Sequence, residues 1–270
     1  MAYRLLALDL DGTLLRSDHS VDARDVAAIA ELQAAGVTVT IVTGRLQSGA
    51  VAAARTCSID GAIACVEGSH LVELATGVTL AHHPMDLEVT SLLRATIGTQ
   101  GLASFVFDAG GIHHDHAGAP YANYVSTWSP NVRVVEEQLA WQTDPLAAVA
   151  IGDPEQVAAA HELLRAHADR IFSVSFAVSA CPGKHALLVR AAGPTKGTAL
   201  AELCRTAGCS LADAVAIGDW VNDIPMFEVA GRSFAMGSSP DAVRVKATDV
   251  LSTTAGAGGG IAEAIRRAWG

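Results

Sequence analysis

Asp9-Leu10-Asp11-Gly12, at the end of an apolar run that starts almost at the first residue, constrains this chain more than any other segment. Tyr3 to Leu8 is short, mostly apolar and free of Pro and Gly, which predicts a buried strand. Side chains two residues apart leave a strand on the same face, so a pleat that persists turns Asp9 and Asp11 into one small space. Like charges that close repel, and one pKa rises unless a cation sits between them. A hard divalent ion with oxygen ligands, Mg²⁺ above all, answers that repulsion. A plain strand-ending Asp-Gly turn is the alternative, and this segment alone leaves it open.

The segments that follow alternate between strand and helix. Val21 to Ala35 places Val26, Ile29, Ala30 and Leu32 at helical spacing, with Gly36 as the stop. Val37 to Val42 is β-branched and ends at Thr43-Gly44-Arg45; Gln47 to Arg55 predicts a second helix. Ala62 to Val66 and Leu71 to Leu74 read as short strands around Glu67-Gly68. Strand, helix, strand in this order implies a right-handed parallel βαβ unit. After His82-His83-Pro84 the pattern changes to strands in quick succession with helices at Leu87 to Gly98 and Pro154 to His167. Alternation resumes at Thr195, a natural N-cap for a helix from Lys196 to Ala207, and continues through a strand at Ala214 to Ile217. The expectation is an α/β protein: a Rossmann-like, doubly wound parallel core built from residues 1–83 and 191–270, with an inserted α+β cap over 84–190.

Composition narrows the function. A net charge of −10 argues against a nucleic-acid backbone or an anionic membrane as the main partner. The five cysteines contain no C-x-x-C pair, which suits reduced thiols rather than a disulfide framework or a zinc site. Asp9 and Asp11 interrupt the only candidate signal segment, and no apolar run is long enough to cross a bilayer. A cytoplasmic protein, monomeric or homodimeric, is expected.

In an open parallel sheet, ligands bind beyond the carboxyl ends of the strands. Four polar signals fall at such positions: Asp9 and Asp11, Thr43-Gly44, Lys196, and Asp219 to Asp223. A carboxylate can attack phosphorus and divide one hard displacement into two easier ones. Phosphoryl transfer chiefly requires charge neutralisation and in-line positioning. Mg²⁺ held by Asp9, the backbone carbonyl of Asp11 and Asp219 would screen the nucleophile. The Lys196 ammonium, the Thr43 hydroxyl and N–H groups near Leu10 and Gly44 would hold phosphoryl oxygens. Asp11 would move the proton, Asp223 would orient Lys196 or a metal-bound water, and Asn222 would contact phosphate or substrate.

Asp-Leu-Asp-Gly-Thr-Leu-Leu, Thr-Gly-Arg, Thr195-Lys196-Gly197 and Gly-Asp-Trp-Val-Asn-Asp occur in the order of the four motifs of the haloacid dehalogenase superfamily. Asn-Asp-Ile-Pro-Met-Phe and the Phe-Ala-Met-Gly segment at 234–237 further resemble its Cof-type phosphatases, whose class IIB cap is inserted between the second and third motifs. The resemblance implies Asp9 as nucleophile, Asp11 as acid–base, Thr43 and Lys196 as phosphate binders, Asp219 as metal ligand and Asp223 in support. It implies a Mg²⁺-dependent phosphatase acting on small phosphorylated metabolites, sugar phosphates foremost, through an aspartyl-phosphate. Such a cap is expected to close over the core site and carry specificity. Ser238-Ser239 stands where many relatives have Asn-Ala, and Trp220 replaces a small residue. A phosphotransferase or phosphomutase would use the same acyl phosphate. A receiver-like phosphorylation switch would instead need an adjacent acidic pair and a separate phosphorylated Asp.

Other polar clusters have plainer readings. His113-His114-Asp115-His116 is expected to be a polar turn or rim rather than a metal box. His82-His83 is read as a hinge, Gly152-Asp153-Pro154 as a helix-capping turn, and the glycines of 256–260 as a loop.

Overall fold

The computed structural model describes residues 3–178 and 180–270. The chain forms two compact units, one of Met1–Gly44, Ala50–Ala81 and Pro194–Gly270, the other of Arg45–Gly49 and His82–Gly193. Strands β1 (Leu5–Leu8), β2 (Thr38–Ile41), β3 (Ala62–Cys65), β4 (His70–Glu73) and β5 (Thr79–His82) come first. The second unit holds β6 (Ala103–Asp108), β7 (Gly111–His114), β8 (Val132–Val134), β9 (Ala147–Gly152), β10 (Ile171–Ala177) and β11 (His185–Ala191). The chain returns to the first unit with β12 (Ala214–Gly218), β13 (Arg232–Ala235) and β14 (Asp249–Val250).

The core sheet has the order β14-β13-β12-β1-β2, and all of its pairings are parallel. Leu5, Leu6, Ala7 and Leu8 are fully buried, as is every residue of β12, because helices cover both faces of such a sheet. Their continuous apolar runs follow from that burial. The register sets Leu8 opposite both Ile41 and Ile217, so the carboxyl ends of β1, β2 and β12 lie level. Strand order reverses at β1, which places the ligand crevice of an α/β sheet just past Leu8.

Two helices fix that edge. Ala23–Ala34 starts at Asp22, whose carboxylate accepts the Arg24 N–H at 2.9 Å. Lys196–Thr206 starts with a reciprocal cap: Thr198 N–H donates to Thr195 Oγ1 at 3.1 Å, and Thr195 N–H donates to Thr198 Oγ1 at 2.9 Å. The predicted N-cap at Thr195 is therefore present, and it orients the first helical side chain, Lys196.

The strands predicted around Glu67-Gly68 depart from a simple βαβ continuation. β3 pairs with β4 as an antiparallel hairpin, and with β5 they form a separate three-stranded sheet. The Val42–Ala64 bridge, with Thr40 Oγ1 donating to Ala62 O at 2.7 Å, joins β3 to the parallel core. β5 escaped the sequence reading because Thr79, Leu80 and His82 are exposed and carry no apolar alternation.

The second unit is a six-stranded sheet of order β10-β11-β9-β6-β7-β8, antiparallel except between β7 and β8. Val89, Leu93 and Ile97 from helix Leu87–Thr99 join Val157, Ala160 and Leu164 from helix Pro154–Arg165 in one core with Val106, Ala148 and Leu187. These helical residues recur at the three-to-four spacing that marks a buried face. Among the described residues, no helix is long and apolar enough to cross a membrane.

Candidate active site

Asp9 extends the ladder of β1, its N–H donating to Ile217 O at 3.0 Å, and its side chain is buried. The pleat ends there. Thr13 N–H returns to Leu10 O at 3.2 Å and Leu14 N–H to Asp9 O at 3.3 Å, so the chain coils around Gly12 at φ +79°. Asp11 sits exposed at this turn, and its charge acts on Asp219. Gly12 is required sterically as well as conformationally, because a Cβ would come within 2.3 Å of Asp219 Oδ2.

The buried partner of Asp9 is Lys196. Its Nζ lies 2.5 Å from Asp9 Oδ1 and 2.7 Å from Asp223 Oδ1, with the lysine side chain wholly enclosed. The other Asp223 oxygen accepts the N–H groups of Asp219 at 2.8 Å and Trp220 at 2.9 Å, which shapes the loop after β12. Asp223 thus orients Lys196 and the Asp219 backbone together.

Asp9, Asp219 and Asp223 each offer a carboxylate oxygen within 4.8 Å of the others. One ammonium stands against these three carboxylates. Burial raises the Asp9 pKa well above the usual carboxylate range; Lys196 opposes the rise, and Asp223 and Asp219 reinforce it. Burial, followed by the Asp223 charge, pushes Asp219 up to about 7. Burial alone would lower the Lys196 pKa, but Asp223, Asp9 and Glu67 outweigh it and keep the ammonium charged. An all-oxygen site short of positive charge fits a small divalent cation such as Mg²⁺. The sequence reading counted Asp223 as support, whereas the structure places it in the cluster; the Asp11 carboxylate is outside.

Thr43 and Gly44 follow β2 at the same edge. Thr43 is fully buried, its N–H donating to Ala64 O at 2.9 Å and its carbonyl accepting Glu67 N–H at 3.0 Å. Leu10 is buried beneath the turn. Asn222 donates from Nδ2 to Glu67 Oε1 at 2.9 Å. Glu67 was absent from the residues predicted for the site; the only sequence signal was an acidic residue between Val66 and Gly68 in an otherwise apolar connection.

Residues 6–265 match the family model of haloacid dehalogenase-like hydrolases. The chain belongs to this family. Over 266 residues this hydrolase is 26% identical to pyridoxal phosphate phosphatase YbhA of Escherichia coli (strain K12), covering 93% of this chain and 94% of that protein. It is 29% identical over 253 residues to a phosphoglycolate phosphatase of Halobacterium salinarum, covering 94% and 92%. The crystal structure of a haloacid dehalogenase-like hydrolase from Bacteroides thetaiotaomicron matches with a TM-score of 0.85 and 25% identity, over 98% of this chain and 99% of that one.

The remaining polar clusters of the hydrolase keep structural roles. His113 Nε2 lies 2.9 Å from Asp108 Oδ2, and the buried His114 ring packs 5.1 Å from Phe105. Asp115 accepts the Ala117 N–H at 3.0 Å, a local turn. Among the described residues these side chains form no metal-competent group. Asp153 caps helix Pro154–Arg165, its N–H donating to Gln156 Oε1 at 3.1 Å.

Proposed function

We propose that this hydrolase is a Mg²⁺-dependent phosphatase for small phosphorylated metabolites, with sugar phosphates as the foremost class, and that Asp9 is its nucleophile. The observation that carries the reading is the buried Lys196 bridge between Asp9 and Asp223 at the carboxyl edge of a parallel sheet. Phosphatase relatives aligned over nearly the whole chain support the same chemistry.

In the first step an Asp9 oxygen bonds to phosphorus as the ester oxygen leaves, and Asp11 supplies the proton that oxygen takes. In the second, water attacks the phosphorus of the acyl phosphate, Asp11 accepts the proton, and the Asp9 carboxylate is restored with release of phosphate. The exposure of Asp11 suits this role, since a proton carrier must reach both leaving group and water. Lys196, Thr43 and the backbone at Leu10 and Gly44 hold the phosphoryl oxygens. Asp9 and Asp219, with the Asp11 carbonyl, would hold Mg²⁺, and Asp223 would support them. The ion supplies charge neutralisation for an anionic substrate approaching an acidic pocket.

The test is hydrolysis of p-nitrophenyl phosphate with and without Mg²⁺. Asp9→Asn is expected to abolish the Mg²⁺-dependent rate while its thermal melt stays cooperative. Full activity in that variant would exclude Asp9 as nucleophile.

A further inference from the structure

Among the described residues, β10 is the longest strand with one side unpaired: seven residues, against three in β8 at the opposite edge of the same sheet. Natural edges are guarded by charged residues, Pro, bulges or brevity. Ile171-Phe172-Ser173-Val174-Ser175-Phe176-Ala177 carries no charge and no Pro, and its register with β11 runs without a bulge from Ile171–Ala191 to Ala177–His185.

Two flanking bonds fix which backbone groups face outward. Ala192 N–H donates to Arg170 O at 2.8 Å, and Val178 N–H donates to Lys184 O at 2.9 Å. Alternation in an antiparallel ladder then turns the backbone of Phe172, Val174 and Phe176 toward β11. Ile171, Ser173, Ser175 and Ala177 turn theirs to the open edge. Ile171 N–H donates back to His167 O at 3.0 Å, but no described residue meets the outward N–H groups of Ser173, Ser175 and Ala177. A groove of about 530 Å³, lined by His161, Glu162 and Arg165 together with Phe172, Ser173 and Ser175, leaves this edge open to an incoming strand. On the face away from helix Pro154–Arg165, the Arg190 guanidinium lies 4.2 Å from the centre of the Phe172 ring, which is 43% exposed.

The sequence of the edge selects its occupant. Phe172-Ser173-Val174-Ser175-Phe176 reads the same in both directions about Val174. Two copies running antiparallel about a two-fold axis at Val174 set Ser173 against Ser175, whose outward N–H and C=O groups then exchange. Ala177 N–H meets the outward Ile171 carbonyl. Phe172 faces Phe176 and Val174 faces its own copy, in the closely spaced non-bonded positions where side chains approach most. The register that satisfies the backbone is therefore the one that brings the apolar side chains together, and a slip of one residue loses both. A strand from an unrelated protein would require no such symmetry.

We propose that two copies of this chain associate through β10, joining their six-stranded sheets into one continuous sheet across a two-fold axis at Val174. A contact of this kind is self-complementary and closes at two copies. It is independent of the phosphatase reading.

The test is sedimentation equilibrium of the full chain over a concentration series, with wild type expected at twice the chain mass. Ser175→Pro removes an outward N–H and leaves the ladder to β11 intact. It should raise the dimer dissociation constant about tenfold or more, because each copy loses a hydrogen bond. Val174→Cys places two thiols at a closely spaced pair and should give a covalent dimer under diamide. Ser173→Cys, whose copy lies on the diagonal beyond disulfide reach, should give no more than wild type treated alike. Wild type that sediments as a monomer throughout overturns the proposal, as does a dimer that folded Ser175→Pro leaves unweakened. Val174→Cys that cross-links no better than Ser173→Cys overturns it too, and this comparison decides the matter if Ser175→Pro does not fold.

Discussion

Lys196 Nζ and Asp223 Oδ1 meet 2.7 Å apart, and neither side chain is open to water. Removing one member of a buried ion pair strands a charge and typically costs about 3–5 kcal/mol. Lys196→Met strands two carboxylates, because Asp9 loses the same partner. We expect its urea midpoint to fall accordingly and its activity to vanish. The double variant Lys196→Met/Asp223→Asn should recover at least half of the lost stability, since Asn can still accept from the Asp219 and Trp220 N–H groups. Activity should stay absent. Equal stability of the single and double variants would show that the pair does not govern folding of this edge.

Gly12 links backbone shape to the acidic cluster. Its φ of +79° makes any side chain strained, by about 1–2 kcal/mol, and a Cβ would displace Asp219. Gly12→Ala should therefore lower kcat/KM far more than it lowers stability. A shift of about 1 Å at a reacting group is enough for a hundredfold loss. Steady-state kinetics beside a thermal melt separate the two effects; a melt that collapses while kcat/KM holds would contradict this account.

Legibility followed local physics. β1, β2, β12 and the helix after Thr195 were readable because buried parallel strands are continuous apolar runs and caps are short-range chemistry. Asp9, Thr43, Lys196 and Asp219 were readable because each directly follows a strand or opens a helix. The exposed position of Asp11 was not, since it depends on Gly12 ending the pleat one residue earlier than alternation suggests. Membership of Asp223 in the carboxylate cluster depends on Lys196 drawing two distant segments together. Glu67 was invisible because its role comes from left-handed backbone at Val66-Glu67, which neither residue type announces. β5 and β8 were missed because their exposed residues lack a core face.

The excess of carboxylates predicts metal-linked stability without reference to turnover. A ligand present at about a hundred times its Kd stabilises the folded state by about 2.7 kcal/mol. Mg²⁺ should therefore raise the Tm of wild type by several degrees. Asp219→Asn removes one charged oxygen from the cluster and should abolish the shift. Without Mg²⁺ the same variant should be no less stable than wild type, because burial and the neighbouring Asp223 already disfavour ionised Asp219. Differential scanning fluorimetry with Mg²⁺ titration measures both. A full shift in Asp219→Asn would remove this residue from the proposed ligands.

Glu263, in the first turn of helix Gly260–Trp269, offers a pH test away from the site. Burial would raise its pKa, but hydrogen bonds from Ser252, through N–H and hydroxyl, and from Thr253, likewise through both groups, prevail and lower it from 4.5 to about 2. A depressed carboxyl pKa means the unfolded chain binds the proton more readily, so the contribution is complete above pH 4.5 and fades as pH falls toward 2. Allowing for solvent screening, it amounts to about 1–2 kcal/mol. Glu263→Gln keeps an acceptor but no charge. The gap in urea stability between wild type and this variant should be constant from pH 7 to pH 5, then narrow through pH 4 and 3. A gap that stays constant down to pH 3 would mean that Glu263 holds the 252–253 segment by shape alone, with its charge contributing nothing.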